Sequence, residues 1–266
     1  MDWRNEMDII VCVKRVPDTS EADVVITGKD IKKDDLPFEI NEWDNYAVEE
    51  AVQLKEKFGG TITVISVGDE DANEVIRRGL AMGADEGVRI YDPAIEGSDG
   101  VTIAKILAAA IKNMKYDLIL TGAQAGDLGE GIVPVALAEM LGIPHATLVT
   151  GLEIQDGKAK VKRELEGGLM EVLEIDLPAV IGIQTGINEP RYVSIMGIRK
   201  ASKKEIKLLG LGDIGLTPED VGEAGSLTVL EELSVPPVTK VAEIIEGDPA
   251  EAASKLAEIL KEQGVL

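Results

Sequence analysis

The sequence predicts an α/β protein: a mostly parallel sheet flanked by helices, then an antiparallel extension and a C-terminal arm. Three observations lead to this fold class. Short apolar segments alternate with segments of helical periodicity from residue 7 to residue 141, which is typical of a parallel sheet covered on both faces. After Pro144 the pattern changes to strand-like segments joined by glycine turns. The last 57 residues carry twelve acids against three lysines, with too few apolar residues for a separate core.

The first half supplies apolar stretches that are short enough for the buried strands of a parallel sheet. We predict these strands at Met7–Val16, Thr61–Val67, Gly87–Tyr91 and Leu118–Thr121, with a further strand and turn in Asp23–Ile31. Between them apolar residues recur at helical spacing, and glycines stand where the helices should end. The predicted helices are Glu42–Lys57, Ala72–Met82, Thr102–Met114 and Val133–Leu141.

The second half begins with three segments of strand-like alternation, which predict an antiparallel meander. These segments are Ala146–Ile154, Lys158–Leu165 and Leu169–Asp176, joined by Asp156–Gly157 and Gly167–Gly168 turns. A further buried strand is predicted at Ala179–Ile183, a basic run extends from Arg199 to Lys207, and a final helix is predicted at Pro249–Gln263. We expect the arm before and including this helix to wrap a partner or to pack back on the sheet.

Composition excludes several classes of function. A net charge of −22 repels phosphate backbones, so we expect no nucleic-acid partner. No apolar run approaches the roughly 20 residues that span a bilayer, and the N-terminus has no signal-peptide core, so we expect a cytoplasmic protein without a membrane span. Cys12 is the only cysteine and His145 the only histidine, which argues against metal sites, iron–sulfur clusters and histidine-based catalytic triads. Any redox chemistry must come from a bound cofactor.

The most informative segment is Asp117–Pro134, where an apolar strand breaks into a loop with four glycines and a helix follows. This order builds a nest of backbone N–H groups at a helix N-terminus, which favours a phosphate. The segment has neither a Gly-Lys-Ser/Thr sequence nor G-x-G-x-x-G spacing, and Asp127 and Glu130 disfavour a triphosphate. It therefore indicates a mono- or diphosphate held by backbone amides; a glycine-rich surface turn is the alternative.

Five segments, collinear over residues 7–207, carry a resemblance to a known family. They are VCVKRVPD, NEWDNYAVEEAVQLKEK, RRGLAMGADEGVRI, GAQAGDLGEGIVPVALAEMLGIPHAT and KVKRELEGGLMEVLEIDLPAVIGIQTGINEPRYVSIMGIRKASKK. The last is the most diagnostic, with its Glu-Gly-Gly-Leu turn and its Asn-Glu-Pro-Arg-Tyr sequence. Together these segments resemble the beta (small) subunit of the electron-transferring flavoproteins.

The resemblance implies a Rossmann-like, adenine-nucleotide-binding sheet in a heterodimer with an alpha subunit, which carries FAD on a mobile domain. It implies a nucleotide-binding domain with its antiparallel extension at residues 1–209. It also implies an arm and helix at 210–266 that pack on the partner subunit. In simple carriers of the family the beta pocket holds AMP, and in the electron-bifurcating branch it holds a second FAD that accepts hydride from NADH. No catalytic residue and no metal ligand is expected in this chain.

The first residues that match the family's nucleotide pocket lie at strand ends and at the start of the first helix. Cys12 lies on the first strand, where a small side chain lets adenosine lie close; a buried core cysteine is the alternative. Asn41 and Asp44 open the first helix, where N-capping is the alternative role. Val67 and Gly68 end the second core strand, where a plain strand-to-helix turn is the alternative.

The rest of the implied pocket is the glycine loop and the start of the next helix. The family usually has hydroxyl or amide side chains in part of this loop, whereas residues 129–133 here are Gly, Glu, Gly, Ile and Val. We therefore expect backbone N–H groups to be the main phosphate donors. The loop positions are Ala123, Gln124, Ala125, Gly126, Asp127, Leu128, Gly129, Glu130, Gly131, Ile132 and Val133.

Residues Arg191 to Lys200 match the family's docking loop, with Ile195 at the position of an apolar anchor and Arg199 beside Lys200. The resemblance implies redox partners at this loop, such as a flavin dehydrogenase, a quinone reductase or an iron–sulfur protein such as ferredoxin. A solvated charged face is the alternative explanation for its basic residues.

The segment Val16–Thr19 resembles the bifurcating branch, because carriers tend to have an aliphatic residue and no Pro-Asp-Thr there. This favours FAD in the pocket and NADH as electron donor, with a quinone or enoyl-CoA-linked acceptor and a low-potential acceptor. A carrier subunit with AMP and a stand-alone adenine-nucleotide-binding regulatory module stay open as alternatives. An ATP-pyrophosphatase-type transferase is disfavoured, because Lys14–Asp18 does not resemble its Ser-Gly-Gly-rich loop.

Overall fold

The protein folds around one large sheet with helices on both faces, as a computed structural model shows for residues 6–20, 24–34, 36–237 and 242–266. The strands, in chain order, are β1 Ile9–Cys12, β2 Arg15–Pro17, β3 Ile26–Thr27, β4 Asp30–Ile31, β5 Phe38–Ile40, β6 Ile62–Val67, β7 Glu86–Ile90, β8 Leu118–Gly122, β9 His145–Gln155, β10 Lys158–Glu164, β11 Met170–Asp176, β12 Ala179–Ile183 and β13 Ile206–Leu209. The helices are α1 Glu42–Phe58, α2 Asn73–Met82, α3 Gly100–Ile111, α4 Ile132–Leu141, α5 Ile195–Ala201, α6 Gly222–Gly225 and α7 Pro249–Glu262.

Nine strands form the main sheet in the order β11-β10-β9-β12-β8-β1-β6-β7-β13. The seven strands from β9 to β13 in this order pair in parallel, and β10 and β11 extend the sheet antiparallel beyond β9. The predicted mostly parallel α/β fold with an antiparallel extension is therefore confirmed.

The sheet has a hydrophobic core on each face. On one face Ile9, Val11 and Val64 pack with apolar residues of α1 and α2. On the other face Ile10 and Ile65 pack with apolar residues of α3 and α4. Because side chains alternate along a strand, the continuous apolar run of β1 supplies both cores, whereas β6 contributes to both and also buries the polar residues Thr63 and Ser66.

A crevice lies at the carboxyl edge of the sheet between β1 and β8. The chain runs from β1 through α1 and α2 towards β7, and then returns on the other side of β1 to form β8. Strands whose following connections leave in opposite directions form a topological switch point, where open α/β sheets bind ligands. The loops after β1 and after β8 flank this crevice.

The structure departs from the predicted elements in four places. The predicted strand Met7–Val16 is split, because the Lys14 N–H leaves the sheet and donates to Asp44. The predicted strand Asp23–Ile31 is a short hairpin, β3–β4, and its first residue lies outside the described residues. The predicted docking loop contains helix α5, which begins after the N-cap Ser194. The basic run ends in strand β13, which pairs with β7.

The first part of the C-terminal segment packs back on the domain. Leu211, Ile214 and Val221 are buried in the core on the α3–α4 face. The Asp99 carboxylate, at the start of α3, accepts hydrogen bonds from the backbone N–H groups of Leu227 (2.8 Å) and Thr228 (2.9 Å). Beyond these residues the described chain is largely exposed, and no residue of α7 is buried.

Candidate functional site

The glycine loop after β8 presents free backbone donors at the start of α4. Two internal hydrogen bonds close the loop, from Ala125 N–H to the Glu130 carbonyl (2.9 Å) and from Gly129 N–H to the Ala125 carbonyl (2.8 Å). Within the described part of the chain, the four N–H groups from Glu130 to Val133 donate to no protein acceptor. These groups lie at a helix N-terminus, where the helix dipole favours an anion. The loop therefore offers free backbone donors where the sequence predicts a phosphate site, and the site itself stays a prediction.

Asn41 links the start of α1 to this loop. Its Nδ2 donates to the Gln124 carbonyl (2.9 Å), and its Oδ1 accepts from the Gly126 N–H (3.0 Å). The side chain is 1% exposed and makes no capping hydrogen bond to its own helix, although Asn41 occupies the N-cap position. The capping role considered for this residue is therefore wrong; its amide fixes the shape of the glycine loop.

Asp44 joins the two strand ends beneath the crevice. Its Oδ2 accepts from the Lys14 N–H after β1 (2.7 Å), and its Oδ1 accepts from the Gly122 N–H at the end of β8 (3.0 Å). Burial raises the pKa of Asp44 to about 7, although hydrogen bonds from Asn41, Lys14 and Gly122 act in the opposite direction. Asp44, like Asn41, supports the loop from below, and its side chain does not cap the helix.

Two glycines allow α1 to approach the loop closely. A Cβ on Gly122 would clash with Asp44 Oδ1 and would lie 2.7 Å from Trp43 Cβ. A Cβ on Gly126 would lie 3.3 Å from the Trp43 ring. The Trp43 indole N–H donates to Gln184 Oε1 after β12 (2.7 Å), so this half-buried ring is fixed against the loop.

The other two loop glycines have different surroundings. Gly129 has φ +68° with open space around it, so the backbone conformation alone favours glycine there. Gly131 has φ −112°, and a Cβ there would lie 3.1 Å from the Ala123 carbonyl oxygen. Gly131 also carries one of the free N–H groups, so a larger side chain would crowd the donors themselves.

One ion pair crosses the crevice. Lys14 Nζ lies 2.8 Å from Asp127 Oδ1 and 2.7 Å from Oδ2, and Asp127 Oδ1 also accepts from the Leu128 N–H (2.9 Å). The only acid whose carboxylate is held within the loop is thus neutralised by a cation from the end of β1. Glu130 is exposed and points its carboxylate towards Gly100, at the start of α3.

The remaining predicted pocket residues also lie at the carboxyl edge. Cys12 ends β1 with its side chain in the core, and burial raises the pKa of its thiol far above the ordinary value, so it stays protonated. Val67 and Gly68 end β6, where the Gly68 N–H donates to the Ile90 carbonyl (3.0 Å). Ala123 is buried, whereas most of the loop after Ala125 is exposed. The fold thus brings all the predicted pocket positions to one edge of the sheet.

The predicted docking positions lie on a different surface. Ile195 is 76% exposed at the start of α5, and Arg199 and Lys200 are exposed in its last turn. The helix packs on α2, because Gly197 comes close to the Ala81 carbonyl and Arg77 donates to the Ala201 carbonyl (2.6 Å). The apolar position and the basic positions therefore share one short, fixed helix.

Arg191 is occupied within the chain. Its guanidinium donates to the Glu49 carboxylate at 2.8 and 3.0 Å and to the Glu56 carboxylate at 2.7 Å, both on α1. These two carboxylates raise the pKa of Arg191. Its side chain therefore anchors the segment before α5 on the domain.

Sequence analysis did not single out Lys14 or Trp43 as site residues. Lys14 directly follows the first core strand, a position at the carboxyl edge that could have marked it. Trp43 stands between the predicted pocket residues Asn41 and Asp44.

Among the described residues no group of three or more His, Cys, Asp or Glu side chains could hold a metal ion, and no helix there is long and apolar enough to cross a membrane.

Comparison with known proteins identifies the family. Residues 30–213 match the model of the electron transfer flavoprotein domain. The chain is 41% identical over 258 residues to electron transfer flavoprotein subunit beta of Bacillus subtilis, covering 97% of this chain and 98% of that protein. It is 38% identical to the subunit beta of Methylophilus methylotrophus, covering 96% and 98% of the two chains. The chain therefore belongs to the electron transfer flavoprotein family, among its beta subunits.

Proposed function

We propose that this chain is the beta subunit of a cytoplasmic heterodimeric electron-transfer flavoprotein, in which it binds an alpha subunit and holds an adenine nucleotide in the crevice between β1 and β8. The observation that carries the proposal is the loop whose four N–H groups from Glu130 to Val133 have no acceptor among the described residues. One or two phosphates with little charge fit these donors, because the loop offers dipoles and a single neighbouring lysine.

We further propose FAD as the nucleotide, with NADH as electron donor. The segment Val16–Thr19, which resembles the bifurcating branch, supports this choice. In the structure it pairs with β5 through Val16 and Pro17, and β5 leads directly to Asn41. Val16 and Pro17 thus lie beside the strand that leads to Asn41, and we propose that this segment contacts the part of FAD that AMP lacks.

The bound flavin would supply the redox chemistry, taking hydride from NADH and passing electrons separately towards a quinone or enoyl-CoA-linked acceptor and towards a low-potential acceptor such as ferredoxin. The chain's own residues bind and orient. Asn41 and Asp44 hold the loop, and the free N–H groups take the phosphates. No side chain of the pocket is needed as an acid or base.

Two exposed surfaces are suited to binding the proposed partners. The exposed apolar residues Tyr192, Ile195 and Met196, with the basic residues of α5 beside them, form a surface for a dehydrogenase, quinone reductase or iron–sulfur protein. Helix α7 has an apolar side that includes Leu256 (48% exposed), and we propose that it packs on the alpha subunit.

Acid extraction of the purified heterodimer, followed by chromatography, tests the proposal. Two FAD and no AMP for each heterodimer support the bifurcating function. One FAD with one AMP would show the carrier function, with AMP on the same loop. A chain that purifies alone and colourless would instead favour a stand-alone adenine-nucleotide-binding module and contradict the proposal.

A further inference from the structure

Lys14 is placed to act on the charge of a ligand in the crevice. Its backbone leaves β1 at the carboxyl edge and is fixed there by the hydrogen bond from its N–H to Asp44 (2.7 Å). Its side chain crosses the crevice to Asp127, in the same loop that carries the free N–H groups. The ammonium group therefore lies against the loop that carries the donors for the proposed phosphate.

The next cation in the sequence cannot take this role. Arg15 turns to the other side, where its guanidinium lies 3.1 Å from Glu74, 3.6 Å from Asp71 and 3.9 Å from the centre of the Phe38 ring. Among the described residues, Lys14 is the only cation that forms an ion pair with the glycine loop. Lys14 is thus the side-chain cation placed to offset the charge of a ligand at this loop.

The Lys14–Asp127 pair is poorly suited to a purely structural role. The Lys14 side chain is 41% exposed and that of Asp127 is 19% exposed, and exposed pairs contribute little to stability. Both ends of the pair are already held without it, since Asp44 fixes the Lys14 backbone and Asp127 Oδ1 accepts from the Leu128 N–H. Losing the pair should leave the loop in place and change mainly the charge of the pocket.

We propose that Lys14 selects ligands by their phosphate charge, and that Asp127 competes with the phosphate for it. A phosphate on the loop N–H groups shares the ammonium with Asp127, so Asp127 weakens the binding of phosphates but not of uncharged nucleosides. This assignment rests on the proposed nucleotide pocket and deepens it. It makes the ion pair a determinant of specificity in addition to the backbone nest.

Three variants separate the effect of side-chain charge on ligand binding from the effect of pocket shape. In Lys14→Gln, Asp127 remains as an unpaired anion beside the phosphate, and we expect AMP and FAD to bind about tenfold more weakly, whichever of the two the pocket holds. In Asp127→Asn, the amide oxygen can still accept from Leu128, and we expect binding to strengthen severalfold with a steeper dependence on salt. The double variant should lie between wild type and Lys14→Gln. Adenosine should bind equally to all four proteins.

The experiment is calorimetric titration of AMP, FAD and adenosine into the complex of this chain with its alpha subunit, after dialysis to remove bound nucleotide. Lys115→Gln is the matched control, because it removes one positive charge at the opposite, amino edge of the sheet, where Lys115 pairs with Asp8. The control should leave the affinity for all three ligands within twofold of wild type.

The outcomes distinguish this assignment from the proposed function. Equal losses for adenosine and AMP in Lys14→Gln, or weaker AMP binding in Asp127→Asn, would overturn the role of Lys14 while leaving the pocket intact. An effect of Lys115→Gln as large as that of Lys14→Gln would overturn it as well. A wild-type complex that binds neither AMP nor FAD would overturn the proposed pocket and the assignment together.

Discussion

Replacing Asp44 with asparagine changes the buried carboxylate that joins β1 and β8 beneath the glycine loop. Asp44 is 5% exposed and accepts from two backbone N–H groups that belong to different strand ends. Those hydrogen bonds stabilise the ionised form, but burial outweighs them and raises the pKa to about 7 from an ordinary 3.8. Folding therefore favours the protonated acid over a pH range in which the unfolded chain is ionised.

The sign and size of the effect follow from this shift. Because the folded-state pKa is above the unfolded value, the contribution of Asp44 to stability is fully present below about pH 4 and is lost as the pH rises to about 7. Each unit of pKa shift corresponds to about 1.4 kcal/mol. Asparagine does not titrate, so the unfolding free energy of wild type minus that of Asp44→Asn should fall by about 2 kcal/mol between pH 5 and pH 7 and then level off.

Urea unfolding of the heterodimer at half-unit steps from pH 5 to pH 8 measures this difference. Glu42→Gln is the control, because Glu42 is an exposed acid in the same first turn of α1. A wild-type-minus-variant difference that stays constant from pH 5 to pH 7 would refute the reasoning, since it would mean that Asp44 titrates alike in the folded and unfolded chains.

Three further outcomes are expected. Asn41→Ala should destabilise the protein by about 1–3 kcal/mol and lower nucleotide occupancy, because the Gly126 N–H loses its acceptor; unchanged urea midpoints and occupancy would contradict this. Gly129→Val and Gly131→Val should each lower occupancy more than Glu130→Gln, as acid extraction can measure, and the reverse order would disprove the backbone nest. Without an alpha subunit the chain should self-associate and bind FAD weakly, since no residue of α7 is buried; a monodisperse monomer in analytical ultracentrifugation would speak against this.

The long, strongly patterned elements could be predicted from the sequence. Helix α1 was predicted at Glu42–Lys57 and found at Glu42–Phe58, because apolar residues recur at helical spacing and Gly59 ends it. Strand β12 was predicted with its observed bounds, since an apolar run between a proline and polar residues has few alternatives. The order of strands and helices then determines the switch point, and with it the edge on which a ligand site is expected.

Short elements and tertiary contacts could not be predicted. Strand β13 has only four residues with a lysine among them, and pairing with β7 is what makes it a strand. Helix α5 has seven residues and includes Gly197, which local propensity disfavours in a helix but close packing on α2 requires. Both elements depend on contacts with residues that are distant in the sequence.

The contacts of the candidate site could not be predicted either, because they too join residues that are distant in the sequence. Its positions could be carried over from the resemblance, but the way they act depends on hydrogen bonds across about 80 residues, from Asn41 to Gly126 and from Asp44 to Gly122. Capping was the reasonable expectation for both side chains, because their position at a helix start is visible locally and their partners are not. Lys14 was missed for the same reason, since its pairing with Asp127 appears only in the folded chain.

The central claim is that the loop from Gln124 to Gly131 holds the flavin that NADH reduces. Anaerobic titration of the heterodimer with NADH, followed by flavin absorbance, tests it directly when wild type is compared with Gly131→Val. We predict that NADH reduces the wild-type complex, and that the variant keeps the alpha-subunit flavin but is no longer reduced by NADH. A wild-type complex that NADH fails to reduce, or a variant reduced as fast as wild type, would contradict the claim.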